Sequence, residues 1–303
     1  LETLFLTTGR SFLDIFDDLA ERLDVYARRW KIEFSDRTLE TPSSTLAFGT
    51  LKDTRTPVVL KLIKPRSDEH NAWRWLEYHA GQGAARLLAH DEGALLLEQA
   101  IPGSELVEVV RAGRDDEATR QMAHIIGRLC GETNGARAIP SGFKTVEALG
   151  NAFERNSRAL LTARIPAELL DRASHLYGKL CATQGPRRLL HGDLHHYNVL
   201  RDTRHGWQVI DPKGVVGEMA YETGAMLRNP IEMPQFYPNP RILKNRVGIL
   251  CQVLGLNEER VLEWCFSQAI LSAVWSIEDN GSEAEISATL RLAETGWELL
   301  QTR

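Results

Sequence analysis

The chain has 303 residues, 43% of them hydrophobic and 25% charged, with a formal net charge of −5. That length gives one large or two medium domains with ample material for a buried core. The mild acidity excludes the basic footprint usual for a nucleic-acid-binding protein. No apolar run approaches the roughly 18 residues a membrane span needs, and no basic-then-apolar signal pattern opens the sequence. The four cysteines, Cys130, Cys181, Cys251 and Cys265, include no C-x-x-C pair. They read as buried reduced thiols, and the expected compartment is the cytoplasm.

In chain order, Ser11 to Trp30 predicts an amphipathic helix, capped by Ser11, with Phe12, Ile15, Phe16, Leu19, Leu23 and Tyr26 on one stripe. Two strands joined by a polar turn follow, "STLAFGTL" (Ser44–Leu51) and "PVVLKLI" (Pro57–Ile63). Ser67 to about His79 predicts a helix with Asp68 and Glu69 in its first turn, where carboxylates suit the dipole. "GAARLLAHDEGALLLEQA" carries two more strands around a D-E-G turn. Helical signals dominate from Asp115, with Pro166 at a helix start. A β-rich island, Arg188 to Ile210, interrupts them. Helices return at Arg241–Leu254, Glu258–Asp279 and Glu283–Gln301; Asn257 caps the second, Gly281 ends it, and Ser282 with Glu285 forms a capping box for the last. The expected architecture is α+β: a small β-rich lobe over residues 1–100 and a larger, mostly helical lobe over 101–303, with a ligand cleft as a common outcome.

Lys61 lies mid-strand among apolar neighbours. It is either on the wet face of an alternating strand or a phosphate-contacting lysine held by a carboxylate, with Glu69 the first candidate and Glu77 the second. "HGDLHHYNVL" (His191–Leu200) is a loop between two apolar strands, and "WQVIDPKG" brings Asp211 to the end of another. One carboxylate and one amide, Asp211 and Asn198, are hard oxygen ligands suited to Mg²⁺, which binds few protein groups and fills its shell with phosphate and water. Asp193 is then left to accept a proton from an attacking hydroxyl. An Asp at a strand end is by itself a routine turn residue. H-x-D-x-x-x-x-N, a later strand-end Asp and an upstream strand Lys together match the parts of a kinase. The competing zinc reading of His191, His195 and His196 lacks the H-E-x-x-H spacing, and a tetrahedral site needs three or four converging ligands.

With those residues in place, the chain resembles the aminoglycoside phosphotransferase branch of the protein-kinase-like fold. "HGDLHHYNVL" is similar to its catalytic loop, with Gly192 where protein kinases usually carry Arg, and "VIDPKGVVGE" to its metal-binding segment. "IDPKGVVGE", "LRNP", "GAARLL", "GALLLEQ" and "SAVWSIED" resemble the streptomycin 6-kinase, or aminoglycoside/hydroxyurea resistance kinase, group; the likeness spans about Asp24 to Asn280.

The resemblance implies a bilobal protein-kinase-like fold and an O-phosphotransferase using ATP and Mg²⁺. Asp193 would be the catalytic base or hydroxyl orienter, and Asn198 and Asp211 the metal ligands. Lys61 would contact the α- and β-phosphates and pair with Glu69, the backbone of Glu98, Gln99 and Ala100 would meet adenine, and His191 would brace the loop. The phosphate-covering segment "TPSSTLAFG" lacks paired glycines, so Ser43 and Ser44 take that part. Tyr197 and Glu222 also depart from the group's pattern. A polycationic acceptor needs carboxylates and aromatic faces, and Glu218, Glu222, Trp275, Glu278 and Asp279 are the candidates. Glu278 and Asp279 read equally as a solvated helix end, and Trp275 as core. The alternatives are a kinase of a metabolite alcohol or sugar, and a non-catalytic nucleotide-binding module of the same fold.

Overall fold

A computed structural model describes residues 12–65, 67, 69–131, 137–233 and 238–302, with side chains from residue 19 onward. The proposed Ser11 cap and Asp68 lie outside the described residues. The chain divides into two compact units. The first holds the described residues to Trp73 with Ala85–Gln99, and the second holds Arg74–Ala84 with Ala100 onward.

The first unit opens with α1 (Phe12–Arg29) and continues into β1 (Ile32–Glu40), β2 (Ser44–Leu51) and β3 (Pro57–Ile63). After α2 (Ala72–His79), of which only Ala72 and Trp73 belong to this unit, come β4 (Leu87–Asp91) and β5 (Ala94–Glu98). The strands form one antiparallel sheet in the order β1-β2-β3-β5-β4. β1 escapes a pattern search because most of it is exposed and charged. It crosses β2 closely at Gly49, where a Cβ would stand 2.5 Å from the Glu33 carbonyl oxygen. Leu60 and Leu62 of β3 pack with Tyr26 of α1, Ala47 and Ala94. Strand alternation therefore turns Lys61 to the opposite face.

α2 starts at Ala72 rather than Ser67. The Ser67 hydroxyl accepts the Glu69 N–H at 3.2 Å, and the Glu69 carbonyl accepts the Ala72 N–H at 2.9 Å. These turns carry Glu69 inward before the helix begins. Residues 74–84, grouped by sequence with the N-terminal lobe, belong to the second unit. Trp75 is fully buried there, and its indole N–H donates to the Leu190 carbonyl at 2.9 Å.

The second unit runs through β6 (Pro102–Glu105), α3 (Val107–Arg111), α4 (Asp115–Cys130), β7 (Lys144–Thr145), α5 (Val146–Gly150), α6 (Ala152–Arg155), α7 (Arg158–Thr162) and α8 (Ala167–Ala182). β8 (Arg187–Leu190), a 3₁₀ turn (His196–Asn198), β9 (Val199–Asp202), β10 (Gly206–Val209) and β11 (Val215–Glu218) form the β island. α9 (Met219–Leu227), α10 (Pro240–Leu254), α11 (Glu258–Glu278) and α12 (Glu283–Gln301) complete it. Two three-stranded sheets, β10-β9-β6 and β7-β11-β8, present the loops to the helices. α11 is the central column, burying Trp264, Phe266, Ile270, Leu271 and Val274 against its helical neighbours. Asn257 caps it through the Arg260 N–H at 2.9 Å, and Ser282 and Glu285 form a capping box on α12. No helix among the described residues is long and apolar enough to cross a membrane.

Candidate active site

In the first unit, Lys61 and Glu69 form a buried ion pair, their side chains 2% and 8% exposed. A lysine taken out of water needs such a partner, so the wet-face reading of Lys61 is excluded, and Glu69 is a carboxylate that it pairs with. Ser44 is buried, with its hydroxyl 3.0 Å from Thr41 Oγ1; Ser43 is partly exposed. Ser44 thus closes the β1–β2 turn. The Gln99 N–H donates to the Pro57 carbonyl at 3.0 Å, and the Glu98 N–H to that of Arg86 at 2.9 Å. Both amides are committed to strand pairing, which removes them as donors to a base.

In the second unit the His191–Leu200 loop is held on three sides. From below, the Glu222 carboxylate on α9 accepts the backbone N–H of His191 at 2.6 Å and of Gly192 at 3.1 Å. Burial pushes Glu222 up to about 7, against these N–H bonds, which favour its charge. From the side, the His191 carbonyl accepts the N–H groups of Lys213 and Gly214, both at 3.0 Å. From within, His191 Nε2 lies 2.8 Å from the Ile210 carbonyl, which only accepts, so Nε2 carries the proton. Its Nδ1 then receives the Asp193 N–H at 3.3 Å. Burial holds this imidazole neutral, its pKa lowered to about 4. Both ring nitrogens are spent on the loop, so His191 is a brace and not a metal ligand. Gly192 is required by its φ of +83° and by space: a Cβ would stand 2.6 Å from Val215 Cγ2.

The β9–β10 hairpin brings Asn198 and Asp211 together across their separation in sequence. Val199 pairs with Val209, and the Ile210 N–H donates to the Asn198 carbonyl at 3.0 Å. Asp202 ties the hairpin turn, accepting the N–H of Ile101 at 2.9 Å, Arg204 at 2.8 Å and His205 at 2.9 Å. Burial opposes its charge, but these bonds and the Arg204 guanidinium outweigh it and hold its pKa at about 2. Asp211 sits at φ +59°, in the left-handed region. The Asn198 amide nitrogen donates to the Asp193 carbonyl at 2.9 Å, which fixes the amide and identifies Oδ1 as its acceptor oxygen. One amide oxygen and one carboxylate at neighbouring backbone positions fit Mg²⁺ as a donor set.

The Asp193 carboxylate faces one ammonium and one imidazole that burial keeps from protonating. Lys213 Nζ is 3.3 Å from Oδ2, and His195 Nε2 is 3.9 Å from Oδ1. Burial would raise its pKa, but Lys213, His195, Arg228 and His191 together hold it at about 2. Sequence reasoning gave no role to Lys213 or Arg228; the only signal was Lys213 directly after Asp211-Pro212. Tyr197 stands edge-on to His195, ring centroids 5.7 Å apart, with its hydroxyl buried.

Two expected acceptor residues are corrected. Glu218 is buried and accepts the Arg260 Nε–H at 2.7 Å, the Gly185 N–H at 2.9 Å and the Trp264 indole N–H. Glu222 is the loop brace described above. Neither carboxylate faces a soluble acceptor. Glu278, at the end of α11, is engaged by Arg155 and Asn156, and the Arg155 hydrogen bond lowers its pKa. Asp279 is exposed beside it and Trp275 is half-buried.

The braced loop carboxylate and the amide–carboxylate pair in the second unit, and the buried strand lysine in the first, are each parts that a small-molecule phosphotransferase of the protein-kinase-like fold requires. The chain belongs to the aminoglycoside/hydroxyurea antibiotic resistance kinase family, which it matches over residues 29–280. It is 33% identical over 256 residues to the streptomycin 3''-kinase of Klebsiella pneumoniae, covering 83% of this chain and 91% of that one. It is 29% identical over 292 residues to the streptomycin 6-kinase of Streptomyces glaucescens, covering 94% and 91%. Among solved structures, the choline kinase LicA of Streptococcus pneumoniae superposes with a TM-score of 0.65 at 12% identity, covering 93% of this chain and 99% of that one. The aminoglycoside phosphotransferase APH(4)-Ia superposes with a TM-score of 0.64 at 14% identity, covering 92% and 98%. These structures share its fold.

Proposed function

We propose that the protein moves the γ-phosphoryl group of ATP to a hydroxyl of a streptomycin-type aminoglycoside. The convergence of Asp193, Asn198 and Asp211 through the Asn198–Asp193 and Ile210–Asn198 hydrogen bonds carries this reading. The names of the streptomycin kinases that resemble it support the acceptor class.

Asp193, with a pKa near 2, is an ionised acceptor at neutral pH. So weak a base does not deprotonate an alcohol in the ground state. It orients the acceptor hydroxyl and takes its proton as the O–P bond forms. Asn198 and Asp211 would hold Mg²⁺. The metal supplies charge neutralisation at the phosphates. Lys61, fixed by Glu69, contacts the α- and β-phosphates, Ser43 leads the contacts of the β1–β2 turn, and the chain from Glu98 to Ala100 meets adenine through groups other than the committed Glu98 and Gln99 amides. Trp275 and Asp279 are the acceptor-site candidates whose side chains are not committed to the loop or the core.

The test is ADP release from ATP and Mg²⁺ across a panel of aminoglycosides and metabolite alcohols, with NMR of the product. Turnover with streptomycin, reduced by on the order of 10²- to 10⁴-fold in Asp193→Asn, is the expected result. Preference for a metabolite alcohol would overturn the acceptor, and ATP binding without turnover on any acceptor would overturn the enzyme.

A further inference from the structure

Lys213 is tied to the catalytic loop twice. Its backbone N–H donates to the His191 carbonyl at 3.0 Å, and its ammonium stands 3.3 Å from Asp193 Oδ2. The side chain is 39% exposed, on a flexible four-carbon stem. Arg228, the other strong cation acting on Asp193, is restrained differently. Its Nη1 donates to Gln268 Oε1 at 3.2 Å, and the Gln268 amide donates to the Tyr221 carbonyl at 2.7 Å. Arg228 is thus built into the α9–α11 packing, whereas the Lys213 side chain stands 39% exposed beside the carboxylate.

Asp193 must give Oδ2 or Oδ1 to the acceptor hydroxyl. That hydroxyl lies one hydrogen bond, roughly 2.7 Å, from the carboxylate, and the phosphorus it attacks is one bond further on. A cation 3.3 Å from that carboxylate therefore stands beside the group that must hold the acceptor hydroxyl. The oxygens of the transferring group bear most of the charge in phosphoryl transfer, where positioned cations act most strongly.

We propose that Lys213 is a catalytic residue of the transfer step, leaving Asp193 for the phosphoryl oxygens when ATP and acceptor are bound. The inference rests on the phosphotransferase reading above. The acceptor O–P bond forms as the bond from the γ-phosphorus to the β,γ-bridging oxygen breaks. The acceptor proton passes to Asp193, ADP leaves, and Lys213 stays protonated throughout. In the ligand-free protein the same ammonium neutralises Asp193, so one cation serves both states.

The test uses the full chain with ATP, Mg²⁺ and streptomycin. Lys213→Met is expected to lower kcat by on the order of 10²- to 10³-fold with KM for both substrates within a few-fold. Lys213→Arg should keep about a tenth of the wild-type rate or more, and added methylammonium should raise the rate of Lys213→Ala. A purely structural lysine would not respond to the amine. Wild-type kcat in Lys213→Met, a loss confined to KM, or no response of Lys213→Ala to amine overturns the proposal. If Lys213→Met does not fold, Lys213→Gln and Lys213→Arg decide it by the same kcat comparison. Normal turnover in Lys213→Met with none in Asp193→Asn rejects Lys213 and leaves the kinase reading standing. No ADP release by the wild type with any acceptor removes both.

Discussion

Glu222 on α9 accepts the backbone N–H of His191 at 2.6 Å, so a buried helix carboxylate carries the loop on which Asp193 stands. Its pKa is raised to about 7, from an unfolded value near 4.5. Between those values the folded state holds more protons than the unfolded state. The stability it contributes is full below about pH 4.5 and is lost as pH rises through 7, over a range of about 3 kcal/mol. Urea melts of the wild type should weaken from pH 5 to pH 8 relative to Glu222→Gln. Parallel curves for the two proteins would reject this assignment.

The Lys61–Glu69 pair is buried on both sides. Removing one partner strands a charge, so Glu69→Ala should cost about 3–5 kcal/mol in a denaturant melt. The double variant Lys61→Met, Glu69→Leu should recover most of that loss while remaining inactive. A double variant less stable than Glu69→Ala would show that the site holds the fold through something other than the pair.

At Gly192, Ala meets two obstacles: a positive φ and Val215 Cγ2 at 2.6 Å. The backbone conformation alone costs about 1–2 kcal/mol. Adding Val215→Ala removes the clash and leaves the φ, so Gly192→Ala should be milder in that background by about 1 kcal/mol. Additive melting shifts would mean that the loop relaxes away from Val215 unaided.

Because Glu218 is tied to Arg260 and Trp264, Glu218→Ala should lower stability by about 3–5 kcal/mol. Its KM for streptomycin should match the wild type. A large rise in that KM at unchanged stability would return Glu218 to the acceptor site.

Local rules carry far along this chain. The β2 and β3 runs, both strands around the D-E-G turn, the Asn257 cap and the capping box of α12 each depend on residues within a few positions of one another. The catalytic loop is legible for the same reason: His191, Asp193 and Asn198 lie within one short stretch, and Asp211 follows after a single hairpin. What lies far apart is not legible. Glu218 and Glu222 look alike in sequence, two acidic residues after the Asp211-Pro212-Lys213 segment, yet packing against Arg260, Trp264 and the loop amides turns both inward. Charge alone does not say which way a side chain points, because direction is set by the helix face and by what covers it. Sequence by itself determined the residue types of the kinase-like motifs and their order. Tertiary structure decided which carboxylates brace and which face cations, because burial, neighbours and backbone donors are properties of the folded surroundings.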